Sequence, residues 1–167
     1  MYMYDENADR KTILIVGAGK LGGPVLDALA LRWPRNHFIV ASRSQKRSQD
    51  RANLTKYIAA QWNEFPSVTG INLDIENIDD TSEVLSKYQP DVVFNATTPF
   101  PWWKIDLLPQ NVRASCNLSG PGIWCALDCL LPYCLTKALD QTSLTPIHVN
   151  ACYPDLTNAF LRGHRNA

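Results

Sequence analysis

The sequence predicts an α/β protein with a doubly wound, mostly parallel sheet and helices on both faces, and three observations carry that prediction. Apolar runs alternate with helical patterns along 167 residues, with no internal repeat and no low-complexity linker. The first run, Ile13-Leu14-Ile15-Val16, is continuously aliphatic, as a central parallel strand buried on both faces requires; a strand with one wet face would alternate. Directly behind it, four of the chain's eight glycines fall between Gly17 and Gly23.

Each element follows in order. Residues 1–10 are polar and acidic, lack the apolar centre of a signal peptide, and are expected to be a flexible leader. After the glycines, Leu21, Val25, Leu26, Leu29 and Trp33 recur at helical spacing, predicting a helix that packs back over the first strand. Pro24 is tolerated only near a first turn, so this helix should begin at about Lys20 or Leu21. Phe38-Ile39-Val40-Ala41 reads as the second strand, and Ser44 to about Gln61 as a polar, basic helix. Val68 to Leu73 is the third strand. Thr81 to Tyr88 is a helix opened by the N-cap residue types Asp79, Asp80 and Thr81 and closed by Pro90. Asp91 to Asn95 is the fourth strand, and Ile147-His148-Val149 a short fifth one.

Ile123 to Leu139 is the most apolar region, but Asp128, Pro132 and Lys137 interrupt a stretch shorter than the roughly twenty residues that span a bilayer. It is therefore expected to be a buried helix rather than a membrane span. The domain should run from residue 11 to 160, with a tail at 161–167.

Composition excludes several classes of partner. Sixteen basic and sixteen acidic residues leave no net charge, which removes the electrostatic basis for nucleic-acid binding. Five cysteines form no CxxC pair, and an odd number does not suit a disulfide framework, so they read as reduced thiols of a cytoplasmic protein. Cys125 and Cys129 share a helix face, yet no histidine or acidic partner joins them at ligand spacing, so no metal site is expected.

Strand, glycine-rich turn and helix together form a dinucleotide-binding βαβ unit of the Rossmann type. Gly17 permits the tight turn, Gly19 lets backbone approach a pyrophosphate, and Gly22 lets helix and strand pack closely. Amides at the helix N-terminus, around Lys20 and Leu21, would face the phosphates. Ligands of such sheets bind beyond the carboxyl ends of the strands. After strand two come Ser42, Arg43 and Ser44, with no acidic residue between His37 and Gln49 to accept ribose hydroxyls. A hydroxyl and an arginine there suit a 2′-phosphate, so NADP is expected ahead of NAD, although Arg43, Lys46 and Arg47 also fit the solvated start of a helix. After strand three, Asp74 and the backbone of Ile75 are placed to meet adenine, while Asp74 suits a plain turn equally well. After strand four, Ala96, Thr97, Thr98 and Pro99 are small or rigid and allow close approach to the nicotinamide ribose.

These segments resemble the NAD(P)-binding domain of the saccharopine dehydrogenase-like proteins. The resemblance rests on Ile13 to Gly23, Ala41 to Ser44, Asp91 to Pro99 and Val149 to Asn158, and covers nearly the whole chain. It implies an oxidoreductase in which this domain joins a catalytic and dimerisation domain, with reduction of an imine or its reverse as the reaction. No residue here is assigned to catalysis. His37, His148 and His164 read as structural, whereas Tyr153 and Asp155, after the last strand, are the candidates for substrate contact, although Pro154-Asp155 suits a plain turn at least as well. Two functions therefore stand open. One is the cofactor domain of an NADP-dependent oxidoreductase, whose apolar surface near Trp102, Trp103 and Tyr153 is covered by a substrate domain or second subunit. The other is a non-catalytic NADP-binding or sensing protein.

Overall fold

The computed structural model describes residues 10–118, 122–152 and 156–165. Tyr153, Asp155, the leader before Arg10 and the side chains of Trp102 and His164 lie outside what it describes.

Five parallel strands form one sheet in the order β3-β2-β1-β4-β5: β1 Thr12–Val16, β2 His37–Ser42, β3 Ser67–Asn72, β4 Val92–Asn95 and β5 Ile147–Asn150. Both predicted faces of β1 are covered. Ile13 and Ile15 join Leu26, Phe38, Val40 and Val68 in one core cluster, whereas Leu14 and Val16 join Ile39, Leu85, Val93 and Leu135 in the other. This alternation is the pleat of a strand between two helical layers.

The first layer is α1, Gly22–Arg32, with α2, Gln45–Ala60. Leu26 and Ala30 carry the buried stripe of α1, while the predicted core residues Leu21 and Trp33 are 47% and 42% exposed, because they flank the helix rather than lie within it. Pro24 falls in the first turn, where no intrahelical partner is lost. Arg51 of α2 ion-pairs with Asp27 of α1 and donates to the Gly23 carbonyl at 3.1 Å; Thr55 Oγ1 donates to Asp27 Oδ1 at 2.7 Å. A Cβ on Gly23 would stand 3.1 Å from that guanidinium, which gives the fourth glycine a packing role that spacing does not reveal.

The second layer holds α3, Ile78–Tyr88, and α5, Gly122–Asp140. The N-cap of α3 is Asn77, whose side chain accepts from the Asp80 amide, so the helix starts earlier than Asp79 to Thr81 suggest. α5 buries Cys129 and Leu131 before Pro132 and Leu135, Ala138 and Leu139 beyond it, while Leu127 and Leu130 on its N-terminal half are exposed. No helix among the described residues is long and apolar enough to cross a membrane. Three elements had no counterpart in the sequence reading: a 3₁₀ turn at Trp102–Leu107, α4 at Gln110–Leu118, and α6 at Leu156–Arg165, which runs through the segment expected to be a tail.

Register aligns the strand ends. Val16 pairs with Ala41 and Asn95, Ser42 with Asn72, and Asn95 with Asn150, so the carboxyl ends of the strands form one edge. From β1 the chain winds one way to β2 and β3, then returns to β4 on the other side, which opens a crevice between β1 and β4.

Candidate functional site: a dinucleotide cleft at the switch point

A cleft of about 210 Å³ lies at that crevice. The turn after β1 contributes Gly17, Ala18 and Gly19, the end of β2 and its turn into α2 contribute Ser42, Arg43 and Ser44, and the first turn of α2 contributes Arg47. Leu73 and Ile75 come from beyond β3, Ala96, Thr97 and Thr98 from beyond β4, and Leu131 from α5. Its charged lining residues are two arginines, so the cleft favours an anion.

The turn is shaped by what a side chain would strike. Gly17 has φ +109°, donates its amide to Ala41 O at 2.9 Å, and lies where a Cβ would meet Ala96 O at 2.7 Å. A Cβ on Gly22 would fall 1.9 Å from Gly17 O, so α1 approaches the turn only because that position is bare. Gly19 faces open space. Leu21, the N-cap of α1, supplies no side-chain acceptor to the first-turn amides of the helix. A turn kept bare by glycine and leading into a helix N-terminus is the kind of place that takes the pyrophosphate of a dinucleotide.

At β2, Ser42 Oγ donates to Ser44 O at 2.8 Å, and Ser44 Oγ accepts from the Arg47 amide, capping α2. The carbonyl of Arg43 accepts from Asn72 Nδ2 at 3.0 Å, which fixes its backbone, while its guanidinium reaches outward to 4.0 Å from Glu76 Oε1. Asp74 does not line the cleft. Its carboxylate accepts from the Glu76 amide at 3.2 Å and its carbonyl from the Asn77 amide at 3.0 Å, both bonds of a turn.

At β4, Asn95 is fully buried and ties the strand end together. Its Oδ1 accepts from Thr97 Oγ1 at 2.8 Å, and its Nδ2 donates to Asn150 Oδ1 at 3.2 Å. Asn150 Nδ2 donates in turn to Asn158 of α6, and Cys152 Sγ donates to Thr97 O at 3.1 Å. Burial pushes the Cys152 thiol up, so it sits there as a protonated donor.

Of the predicted cofactor residues, the structure brings Gly17, Gly19, Ser42, Arg43, Ile75, Ala96, Thr97 and Thr98 together in the cleft. Lys20, Leu21, Gly22, Asp74 and Pro99 are not on its wall; Gly22 shapes the turn from behind. Ser44 and Arg47 were legible as neighbours of Arg43, but Leu131 carries no local signal because it arrives from a distant helix. His37 opens β2 at the opposite edge, its Nε2 3.3 Å from Thr69 Oγ1, with a pKa lowered by burial and then by Arg10. Among the described residues no three His, Cys, Asp or Glu side chains gather as a metal site.

Sheet order, switch-point cleft and glycine turn define a pyridine-nucleotide-binding domain. Residues 13–107 match the saccharopine dehydrogenase NADP binding domain, and the chain belongs to that family. Similar solved structures include saccharopine dehydrogenase (L-Glu forming) from Saccharomyces cerevisiae, at 19% identity and TM-score 0.52, over 90% of this chain and 24% of that one. Lactate dehydrogenase from Cryptosporidium parvum, solved with lactic acid and nicotinamide adenine dinucleotide, gives 14% identity and TM-score 0.58 over 93% of this chain and 42% of that one. UDP-glucose-4-epimerase from Stenotrophomonas maltophila gives 11% and 0.60, over 84% and 36%. At these identities the likeness is one of fold, and the chain spans less than half of each structure. No curated protein sequence matches.

Proposed function

We propose that this domain binds NADP in preference to NAD and serves an oxidoreductase in which a further domain or subunit holds the substrate for hydride transfer. The observation that carries the nucleotide preference is the passage from β2 into α2, where Ser42, Arg43, Ser44 and Arg47 converge on the cleft. A 2′-phosphate would meet two guanidinium groups and a helix-capping turn there, and charge-assisted pairs of this kind are the strong ones. The bare turn from Gly17 to Gly22 would take the pyrophosphate. Thr97 and Thr98, held by the Asn95 network, would border the nicotinamide ribose.

A cofactor domain positions the nicotinamide, and the reacting substrate must be held against it by other groups. Exposed apolar side chains support such a neighbour: Trp103 is 48% and Leu107 74% exposed just beyond β4, and Ile147 and Val149 leave one face of β5 partly uncovered at 67% and 39%.

The test is titration of the purified chain with NADPH and NADH, followed by nicotinamide fluorescence. NADPH should bind more tightly, and Arg43→Ala should weaken NADPH by about tenfold or more while changing NADH little, as befits a charged hydrogen bond worth roughly 1.5–3 kcal/mol. Equal loss of both nucleotides would remove the phosphate role, and binding of neither would refute the reading.

A further inference from the structure

A pair of thiols lies outside the cleft, on the N-terminal half of α5. Cys125 Sγ and Cys129 Sγ are 3.8 Å apart, in mutual contact across one helical turn. Cys129 is buried, while Cys125 is partly open to solvent. Fully buried Thr157 of α6 hydrogen-bonds to Cys129, which holds the inner sulfur in place. Cys116, Cys134 and Cys152 are each buried.

Two features bring this pair close to bonding geometry. Four residues of helix separate the two Cα atoms by about 6 Å, inside the range of roughly 4.4–6.8 Å that disulfides span. The backbone just beyond is also easily deformed, since Pro132 cannot donate to the carbonyl of Asp128, so the turn carrying Cys129 lacks a full ladder. Cβ atoms one turn apart on a helix stand about 5–6 Å from each other, beyond the roughly 3.5–4.5 Å of a disulfide, so closing the bond needs the turn that carries Cys129 to shift as well as the two side chains to rotate.

We propose that Cys125 and Cys129 form a reversible intrahelical disulfide by exchange with a low-molecular-weight disulfide such as oxidised glutathione. The accessible Cys125, as thiolate, attacks one sulfur of the oxidant; the new bond is a mixed disulfide, and the expelled thiolate takes up a proton. Cys129, losing its own proton, attacks the Cys125 sulfur and expels the second small thiol. The protein gives up two electrons and two protons, and one disulfide becomes two thiols. Burial and the neighbouring Cys125 sulfur push the Cys129 thiol up and keep it protonated at rest, so the second attack relies on its position against Cys125 rather than on a ready thiolate. The pair lies one residue from Trp124, whose ring meets Phe100 edge-on at 6.0 Å in the loop leaving β4.

The experiment equilibrates the whole chain in glutathione buffers of rising oxidised fraction, traps thiols with N-ethylmaleimide and maps the products by peptide mass spectrometry. The expected result is joint loss of two of the five thiols, a bond mapped to Cys125 and Cys129, and full recovery in excess dithiothreitol. Cys129→Ser should stop at a glutathione adduct on Cys125. Retention of all five thiols, a mixed disulfide that never closes in the wild type, or a bond between other cysteines would overturn the proposal. Mapping the unsubstituted chain keeps the test valid even if a variant folds poorly.

Discussion

Glu76 occupies the outer side of Arg43, the arginine on which the proposed preference for NADP rests. Its carboxylate oxygen stands 4.0 Å from Arg43 Nη1, and both side chains are more than half exposed. Any ligand phosphate that pairs with Arg43 must displace or share this carboxylate, and a like charge beside the phosphate opposes binding. Exposed pairs are worth about 0.2–1 kcal/mol, so Glu76→Gln should tighten NADPH up to roughly fivefold, more at low salt, with NADH little changed. Weaker NADPH binding in the same titration would show that Glu76 holds Arg43 in its working position. At this scale the sequence revealed residue types at strand ends but not this pairing, because 33 residues separate the two partners and only the β2–β3 pairing brings them together.

At the scale of elements, caps and strand-end contacts decide where each segment begins. Asp91 precedes β4 and ties it to β1: Oδ2 accepts from the Thr12 amide at 2.8 Å and Oδ1 from Lys11 Nζ at 3.1 Å. These contacts hold the Asp91 carboxyl below its ordinary range, the Thr12 amide foremost and Lys11 after it, against an opposing push from burial. The folded chain therefore binds fewer protons at this site than the unfolded chain does. Its stabilising contribution is complete above the unfolded carboxylate range, about pH 4, and disappears as pH falls through the lower folded value. Asp91→Asn should lower the urea midpoint at neutral pH, and the gap to wild type should close below about pH 4. A second element-scale test concerns α3. Asn77→Ala removes the acceptor for the Asp80 amide and should cost about 1 kcal/mol in urea unfolding. Strand positions were legible because burial on both faces enforces continuous apolar runs. The 3₁₀ turn, α4 and α6 were not, since their amphipathic patterns are short and sit among prolines and polar residues.

For the whole molecule, one sheet serves two cores and one cleft. Leu135 is fully buried in the core shared by α3, α5 and the sheet, one turn beyond Leu131 on the cleft wall. Leu135→Ala should destabilise the fold by about 2–5 kcal/mol, read as a lower urea midpoint with little change in slope. Nucleotide binding by the fraction still folded should fall much less, because the turn after β1 and the end of β2 are anchored on the sheet. The uncovered face of β5 and the exposed Trp103 and Leu107 belong to this scale as well. Helices cover the sheet fully around β1 and β2 but only in part at β5.

By itself the sequence determined the alternation of strands and helices, the dinucleotide turn and the basic end of β2, because each is written in neighbouring residues whose spacing obeys local geometry. Only the tertiary structure decided which of these residues share a wall. It held Asp74 in hydrogen bonds of a turn off the cleft wall, placed Gly22 behind the glycine loop, brought Leu131 to the cleft, set Glu76 against Arg43 and joined Arg51 to Asp27 beneath Gly23. Those contacts depend on strand order, register and helix packing, which are settled by burial across the whole chain rather than by any local pattern.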